Sequence, residues 1–598
     1  MFTSISISRE QTKKVGLVLG PILFLVVLFL PINGNDNSIN NNSSSESTHL
    51  SFSARLVLAT TFWMATWWIT EAIPIYVTAL LPLIIFPSVS VTELGETAAT
   101  YADRIIFLFL GGFILAKAVE KTQLHRRFAL NILNIFGTTP KYIVAAFMLV
   151  TGILSAWMSN TATTMLMLPI AAAVISQIGT GSGEVRRNSS KSNKEQNPND
   201  NRNNDKNIGK SNDTEKTEEQ KQQSRFGLCL MLSIAYSASI GGMATLIGTP
   251  PNAIFASLSS SMLDIDISFG QWLLIGMPIS GISLIVAWLY MVHLGVKITD
   301  IKSIVKEKDI IKRNIKEIGK ITKDEKVVAA VFIVTATAWM TRGLLWGDLV
   351  PMIDDSTIAI AAAFSLFLIP SKSSSSLPLP SLADSKQKQN EEKNIHRISN
   401  IYNKQSKNIN KNLNKIGKKQ QDVIQNNGGN NPKVQDKSPR ILDWETAVTI
   451  PWGVLILIGG GLALAHAFTE TGLDKWISNQ LVFVENLHFI LIVLVIVAIG
   501  VVFSEIISNT ATAALLIPIA ISLTSAISID PLLLMIPLTI ATSYGFIMPV
   551  GTPPNAIVFA SGYVTAPQMA KAGFPLDIIG IIMVTVLATL MVPWIFGG

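Results

Sequence analysis

Two short polar patterns interrupt apolar stretches of this chain, and each occurs twice. Ser159-Asn160-Thr161 lies within SAWMSNTATTMLMLPIA and Ser508-Asn509-Thr510 within SEIISNTATAALLIPIA. Gly248-Thr249-Pro250-Pro251-Asn252 recurs as Gly551-Thr552-Pro553-Pro554-Asn555. Inside a bilayer every backbone polar group needs an internal partner, so lipid-exposed segments are restricted to helices and closed barrels. Irregular backbone survives at that depth only where protein buries it or where it lines a cavity. Four helix-breaking stretches in apolar sequence therefore predict one protected place that all four share, a single binding site.

The bilayer enters because only 15% of the residues are charged and the mean hydropathy is +0.42, whereas soluble domains carry roughly 25% charged residues. Many apolar runs reach the ~18–20 residues that cross a bilayer as a helix. The expected fold is an all-α polytopic membrane protein. The one cysteine, Cys229, excludes a disulfide framework and a cysteine-based metal site, and its apolar surroundings make it a small buried hydrophobe. The net charge of +7 does not signal nucleic acid, because the basic residues concentrate in polar segments between apolar runs. No metal-ligand cluster, catalytic triad or phosphate loop marks an enzyme, since Gly-Thr-Pro-Pro-Asn lacks the lysine a phosphate loop needs.

Along the chain, residues 1–52 comprise an anchor helix at 15–32, behind Lys13 and Lys14, and an Asn- and Ser-rich loop with sequons at Asn41 and Asn42. The apolar run is long for a signal peptide and no small-x-small cleavage site follows, so a retained anchor is expected. A first repeat fills 53–294, an amphipathic surface linker 295–326, and a second repeat 327–598. Helices are expected near 53–70, 74–89, 103–123, 271–294, 327–346, 356–370, 446–468 and 573–595, with broken helices at 226–260 and 531–561. The apolar stretch 141–178, too short in each arm to span comfortably, reads as a re-entrant hairpin with Ser-Asn-Thr at its tip, and 488–527 reads as the second hairpin. That gives about eleven transmembrane helices plus two hairpins. Polar low-complexity inserts at 179–225 and 371–440 read as disordered.

Loop charges orient the spans. Outer loops 34–52, 90–102, 256–270 and 347–355 contain no Lys or Arg, whereas inner loops 124–140, 179–225, 295–326 and 371–445 hold nearly all of them. The positive-inside rule then puts the N-terminus inside and the C-terminus outside. Arg342 and Lys475 run against the pattern.

A constant step of 349 residues relates the halves. It carries Gly111-Gly112 to Gly460-Gly461, Leu115-Ala116 to Leu464-Ala465, the first Ser-Asn-Thr to the second, and Pro169-Ile170-Ala171 to Pro518-Ile519-Ala520. At Gly-Thr-Pro-Pro-Asn the step falls to 303, and the 46-residue difference nearly equals the tract 179–225. That tract is therefore an insertion, not part of the site. On the span count the hairpins open to opposite sides, and such inverted repeats mark secondary transporters that bind substrate at the midplane between broken helices.

Helix starts after each triad offer N–H groups and a positive dipole end to an anion. Ser, Thr and Asn side chains can also donate to carboxylate or sulfate. Equally, their oxygens and unwound carbonyls suit a small hard cation such as Na⁺. Two tips facing two unwound loops can hold two cations around one divalent anion without Arg or Lys. The competing structural reading is that small polar residues only let helices pack closely. Lys117 and His466, at equivalent repeat positions, read as snorkelling side chains near helix ends. Glu71 reads as an interfacial cap, and Trp67 with Trp68 as part of the aromatic belt.

At the doubled motifs, together with Thr542-Ser543-Tyr544-Gly545-Phe546-Ile547-Met548-Pro549-Val550-Gly551 and Trp67-Trp68-Ile69-Thr70-Glu71-Ala72-Ile73-Pro74, the chain resembles the divalent anion/sodium symporter family, which carries dicarboxylates, citrate or sulfate. The likeness covers about 53–595 except the two inserts. It implies one sodium site at Ser155, Ser159, Asn160 and the Gly248 carbonyl, and another at Ser504, Ser508, Asn509 and the Gly551 carbonyl. Substrate would contact Ser159, Asn160, Thr161, Thr249 and Pro250 with Ser508, Asn509, Thr510, Thr552 and Pro553. It further implies a homodimer in the cell membrane working as an elevator. A sodium-independent dicarboxylate exchanger on the same fold and an anion channel are the other readings. Retention of both triads with their upstream serines favours sodium coupling.

Overall fold

The structure is a computed structural model that describes residues 9–30, 50–136, 139–178, 205–298, 307–371 and 440–596. Among these, helices are the only regular structure apart from one isolated bridge between Pro370 and Arg440. Residues 1–367 with 442–598 form one compact unit, and 368–441 a second. The second is described only at its two ends, where Arg440 donates from Nη1 to the Leu368 carbonyl at 2.5 Å. Most of both inserts, and the two sequons, lie outside the described residues.

Seven helices among the described residues are long and apolar enough to cross a membrane, from Glu10–Phe29 to Ala566–Phe596. Five more apolar helices are shorter, at 10–17 residues, because prolines and polar breaks divide the runs. One of these five, Ile75–Ser88, expected as a single helix over 74–89, is divided within itself into Ile75–Thr78 and Leu81–Ser88. Pro82 has no N–H to continue the ladder, and its ring crowds the carbonyl a turn earlier.

Other differences have physical causes too. Leu124–Ile135 is a helix where an inner loop was expected, and it buries Ala129, Leu130 and Leu133 at helical spacing. Asp205–Gly242 is a single helix, so the helix begins inside the polar tract rather than after it. Trp68 is 1% exposed and donates from its indole to the Ile75 carbonyl at 3.1 Å. It belongs to the interior and not to an interfacial belt.

The core surrounds the apolar end of Asp205–Gly242. Phe226, Leu230, Tyr236 and Ala238 on it are fully buried, and the helix packs against Pro140–Ser155, Asn160–Ile178, Phe269–Tyr290 and Pro553–Ala560. A Cβ on Gly241 would stand 2.3 Å from the Gly152 carbonyl oxygen, so glycine permits the close crossing of these two helices. The repeat persists as geometry. Pro140–Ser155 and Asn160–Ile178 recur as Phe489–Ile506 and Asn509–Ile527, and Pro250–Leu263 recurs as Pro553–Ala560.

Leu124–Ile135 also anchors the start of Lys323–Thr341 through one ion pair. Arg127 reaches Glu325 with Nε at 2.8 Å and Nη2 at 3.2 Å, and donates to the Gly319 carbonyl at 2.7 Å. Burial alone would raise the pKa of Glu325, whose residue is 2% exposed, but hydrogen bonds from Arg127 and Thr322 outweigh it and hold the carboxyl below its ordinary 4.5. Because the folded value is lowered, the pair's contribution is present at neutral pH and fades as pH falls through that value. Arg127→Ala leaves a buried carboxylate uncompensated and should cost about 3 kcal/mol. Thermal unfolding in detergent checks this at pH 7, where the double variant Arg127→Ala/Glu325→Ala should lose less than the two single losses added.

Candidate functional site

Each Ser-Asn-Thr pattern sits where one helix ends and another begins. Pro140–Ser155 stops, and Asn160–Ile178 starts with Ser159 Oγ accepting from the Ala162 N–H at 3.2 Å. In the second copy Phe489–Ile506 stops, and Asn509–Ile527 starts with Ser508 Oγ accepting from the Ala511 N–H at 3.3 Å. Serine here acts as a helix N-cap. The proline motifs start helices in another way. Thr249 (φ −145°, ψ 142°) and Thr552 (φ −134°, ψ 149°) are extended, as the residue before proline must be. Two prolines then open each helix, where a missing N–H costs little.

All four starts line one cavity of about 670 Å³. Ser159, Asn160, Thr161, Gly248, Thr249 and Pro250 face it from one half, and Ser508, Asn509, Thr510, Gly551, Thr552 and Pro553 from the other. The halves are crossed: Pro250–Leu263 packs against Asn509–Ile527, and Pro553–Ala560 against Asn160–Ile178. Ser155 and Ser504 stand behind the cavity wall, fully buried. Every site residue expected from sequence is therefore brought to this cavity or lies directly behind it.

Oxygen atoms are in surplus at both places. Ser155 Oγ lies 2.6 Å from Asn160 Oδ1 and 2.6 Å from the Ala238 carbonyl oxygen. A hydroxyl has one hydrogen, so it serves only one of these two acceptors. Ser504 Oγ repeats the arrangement, 2.7 Å from Asn509 Oδ1 and 2.6 Å from the Thr542 carbonyl oxygen. Gly242 lets these groups meet, since a Cβ there would stand 2.6 Å from Asn160 Oδ1 and 3.2 Å from the Gly248 carbonyl oxygen. Close-set neutral oxygens of this kind are the donor set a hard monovalent cation requires. The residues present fit sodium.

The breaks are tied down at equivalent positions by different chemistry. Thr245 donates its hydroxyl to the Ala156 carbonyl. In the second half Glu505 accepts the Ile547 and Met548 N–H groups at 2.8 and 2.9 Å, one on each carboxylate oxygen. Steps of 349 and 303 make Ala156 and Thr245 the counterparts of Glu505 and Met548. Gly242, Thr245 and Glu505 do not line the cavity but pack against or brace the breaks that do, and sequence reasoning missed them. The only sequence signal was the repeat step itself, which sets Glu505 against an alanine.

Charge at the cavity is small. Lys117 lines it together with Glu120 and His125, and Lys117 Nζ lies 2.8 Å from Glu120 Oε2. Lys117 is the one Lys or Arg among the lining residues, and its counterpart His466 is not among them.

A family described as sodium:sulfate symporter transmembrane region matches residues 45–597. The sodium-dependent dicarboxylate transporter SdcS of Staphylococcus saprophyticus subsp. saprophyticus is 36% identical over 595 residues, covering 99% of this chain and 93% of that one. SdcS of Staphylococcus aureus strain USA300 is 35% identical over 600 residues, covering 99% and 94%. The solved structure of Neisseria gonorrhoeae MtrF overlays with a TM-score of 0.46 at 11% identity, covering 98% of this chain and 95% of that one. That likeness is too slight to establish a shared fold.

Gly242→Ala should lower the thermal unfolding temperature of the purified protein by several degrees, because its Cβ would push the Asn160 amide tip away from Ser155 Oγ while the Gly248 backbone carbonyl, 3.2 Å off, leaves little room on the other side. Gly281→Ala is the control. Nothing stands within 4 Å of its Cβ, and alanine gains about 0.5–1 kcal/mol over glycine in a helix interior.

Proposed function

The chain belongs to the sodium:sulfate symporter family, and from that premise we propose that it is a sodium-coupled carrier of small divalent anions in the cell membrane. Relatives at 35–36% identity bear the name sodium-dependent dicarboxylate transporter, which supports a C4 dicarboxylate such as succinate over sulfate.

The observation that carries this reading is the doubled oxygen cluster behind one cavity. One sodium ion is taken by Ser155, Ser159, Asn160 and the Gly248 carbonyl, and another by Ser504, Ser508, Asn509 and the Gly551 carbonyl. The anion lies between the tips, against Ser159, Asn160, Thr161, Thr249 and Pro250 and against Ser508, Asn509, Thr510, Thr552 and Pro553. Because prolines open the Pro250 and Pro553 helices, backbone N–H donors for the anion come from the Ser-Asn-Thr helices instead.

Coupling follows from charge. Opposite unit charges 4 Å apart are worth about 4 kcal/mol at an effective dielectric of ~20. Two sodium ions beside a dianion therefore stabilise one another's occupancy strongly, while either partner alone forfeits that energy. The one lining lysine is already paired with Glu120, so the ions supply the positive charge.

On this reading the tips are re-entrant hairpins within about eleven spans, the N-terminus lies inside and the C-terminus outside, and the unit works as one half of a homodimer by elevator motion. Support comes from the short pair Pro140–Ser155 and Asn160–Ser176 at the first tip, from its repeat counterpart Phe489–Ile506 and Asn509–Ile527, whose helices are each long enough to cross, and from the loop charges and the family.

Uptake of labelled succinate into proteoliposomes tests the function. It should require an inward sodium gradient and stop when choline replaces sodium. Uptake indifferent to that replacement and driven by internal dicarboxylate would make the protein an exchanger. Asn160→Ala and Asn509→Ala each remove one ligand of a charged species, worth about 1.5–3 kcal/mol, so sodium affinity should fall roughly 10- to 150-fold in each folded variant.

A further inference from the structure

We propose that Asn252 and Asn555, which close the two Gly-Thr-Pro-Pro-Asn motifs, are positioning residues that set cation affinity by clamping the unwound backbone beside each oxygen cluster. The proposal rests on the sodium-site reading above. Asn252 donates from Nδ2 to the Thr245 carbonyl at 2.7 Å, and Nδ2 also lies 3.3 and 3.4 Å from the Gly242 and Met243 carbonyls. Asn555 donates to the Gly545 carbonyl at 2.8 Å and the Met548 carbonyl at 3.0 Å. A step of 303 maps Gly242 on Gly545 and Thr245 on Met548, so both amides grip the same two positions of their breaks.

Both asparagines are 0% exposed, and neither lines the cavity. They act through what they hold. Gly242 borders Asn160 Oδ1 and the Gly248 carbonyl, and a Cβ on Gly545 would stand 3.3 Å from Ser504 Oγ. Each clamp thus holds the unwound segment against which one cation site is built.

The unused end of each amide argues for this role. Asn252 Oδ1 and Asn555 Oδ1 are buried without a hydrogen-bond partner, an arrangement that costs stability. A residue kept for packing alone would not need a polar side chain there, and the same cost recurs in both copies. The NH₂ end is what the fold uses, since it adds a donor at each break, where the Thr245 and Met548 carbonyls also accept the longer Gly248 and Gly551 N–H bonds at 3.3 and 3.2 Å.

The test uses the full-length protein, purified and reconstituted, with NaCl varied against choline chloride. The readouts are the sodium concentration for half-maximal thermal stabilisation, that for half-maximal succinate uptake, and the succinate KM at saturating sodium. In Asn252→Ala and Asn555→Ala both sodium values should rise at least about fivefold, while succinate KM stays within twofold. Sodium values within twofold of the parent, or a raised succinate KM alone, would overturn the proposal. If an alanine variant does not fold, Asn252→Asp or Asn555→Asp is judged by the same measures, being close in shape but without the NH₂ donors. Failure of both forms to fold makes the residue a support of the fold and also overturns the proposal. Asn160→Ala separates the two levels: parent-like sodium dependence there sinks the site itself, whereas a defect there beside a normal Asn252→Ala sinks only the clamp.

Discussion

Unpaired backbone groups at four helix breaks are the constraint on which the rest of this structure depends. Where a ladder stops, side chains from neighbouring helices take over. Trp272 donates from its indole to the Met243 carbonyl at 3.1 Å, and Ser280 to the Ile240 carbonyl at 2.8 Å. In the second half Tyr236 donates to the Phe546 carbonyl at 3.1 Å, and Glu505 receives two N–H groups. These substitutes give the unwound segments the partners their ladders lack, which is what lets carbonyls be presented at set positions. The cavity is a by-product of a fold that satisfies its breaks from the side.

That arrangement also explains why the two halves form one unit. Tyr236, on the first half's core helix, reaches the second half's break, and its ring lies 4.7 Å from that of Phe546. Ser283 and Tyr544 join hydroxyls at 2.7 Å across the same boundary. Each proline-started helix leans on the other half's tip helix. The breaks of the two halves are therefore joined by packed and hydrogen-bonded side chains.

Much of this was legible in the sequence. The four breaks, their pairing by a constant step, and the residues that line the cavity all follow from where polar residues interrupt apolar runs. What was not legible has a common origin, in that it depends on partners far along the chain. Leu124–Ile135 reads as a loop because His125, Arg126 and Arg127 crowd its start, and only Glu325 makes one of them a buried anchor. Trp68 is the exception: the Ile75 carbonyl that takes its indole lies only seven residues on, across the turn where Glu71 adopts a left-handed conformation. Gly242 is one of several glycines in apolar sequence, and nothing local says that Asn160 comes against it. Pattern reading located the breaks, but distance in sequence hid what braces them.

The unlike tethers, hydroxyl to carbonyl in one half and carboxylate to two N–H groups in the other, bear on ancestry. A chain built from two identical halves would carry two links of one kind, never one of each. Two copies of the first half would lack the Glu505 carboxylate at both breaks, and two copies of the second would lack the Thr245 hydroxyl at both, so the halves are not interchangeable.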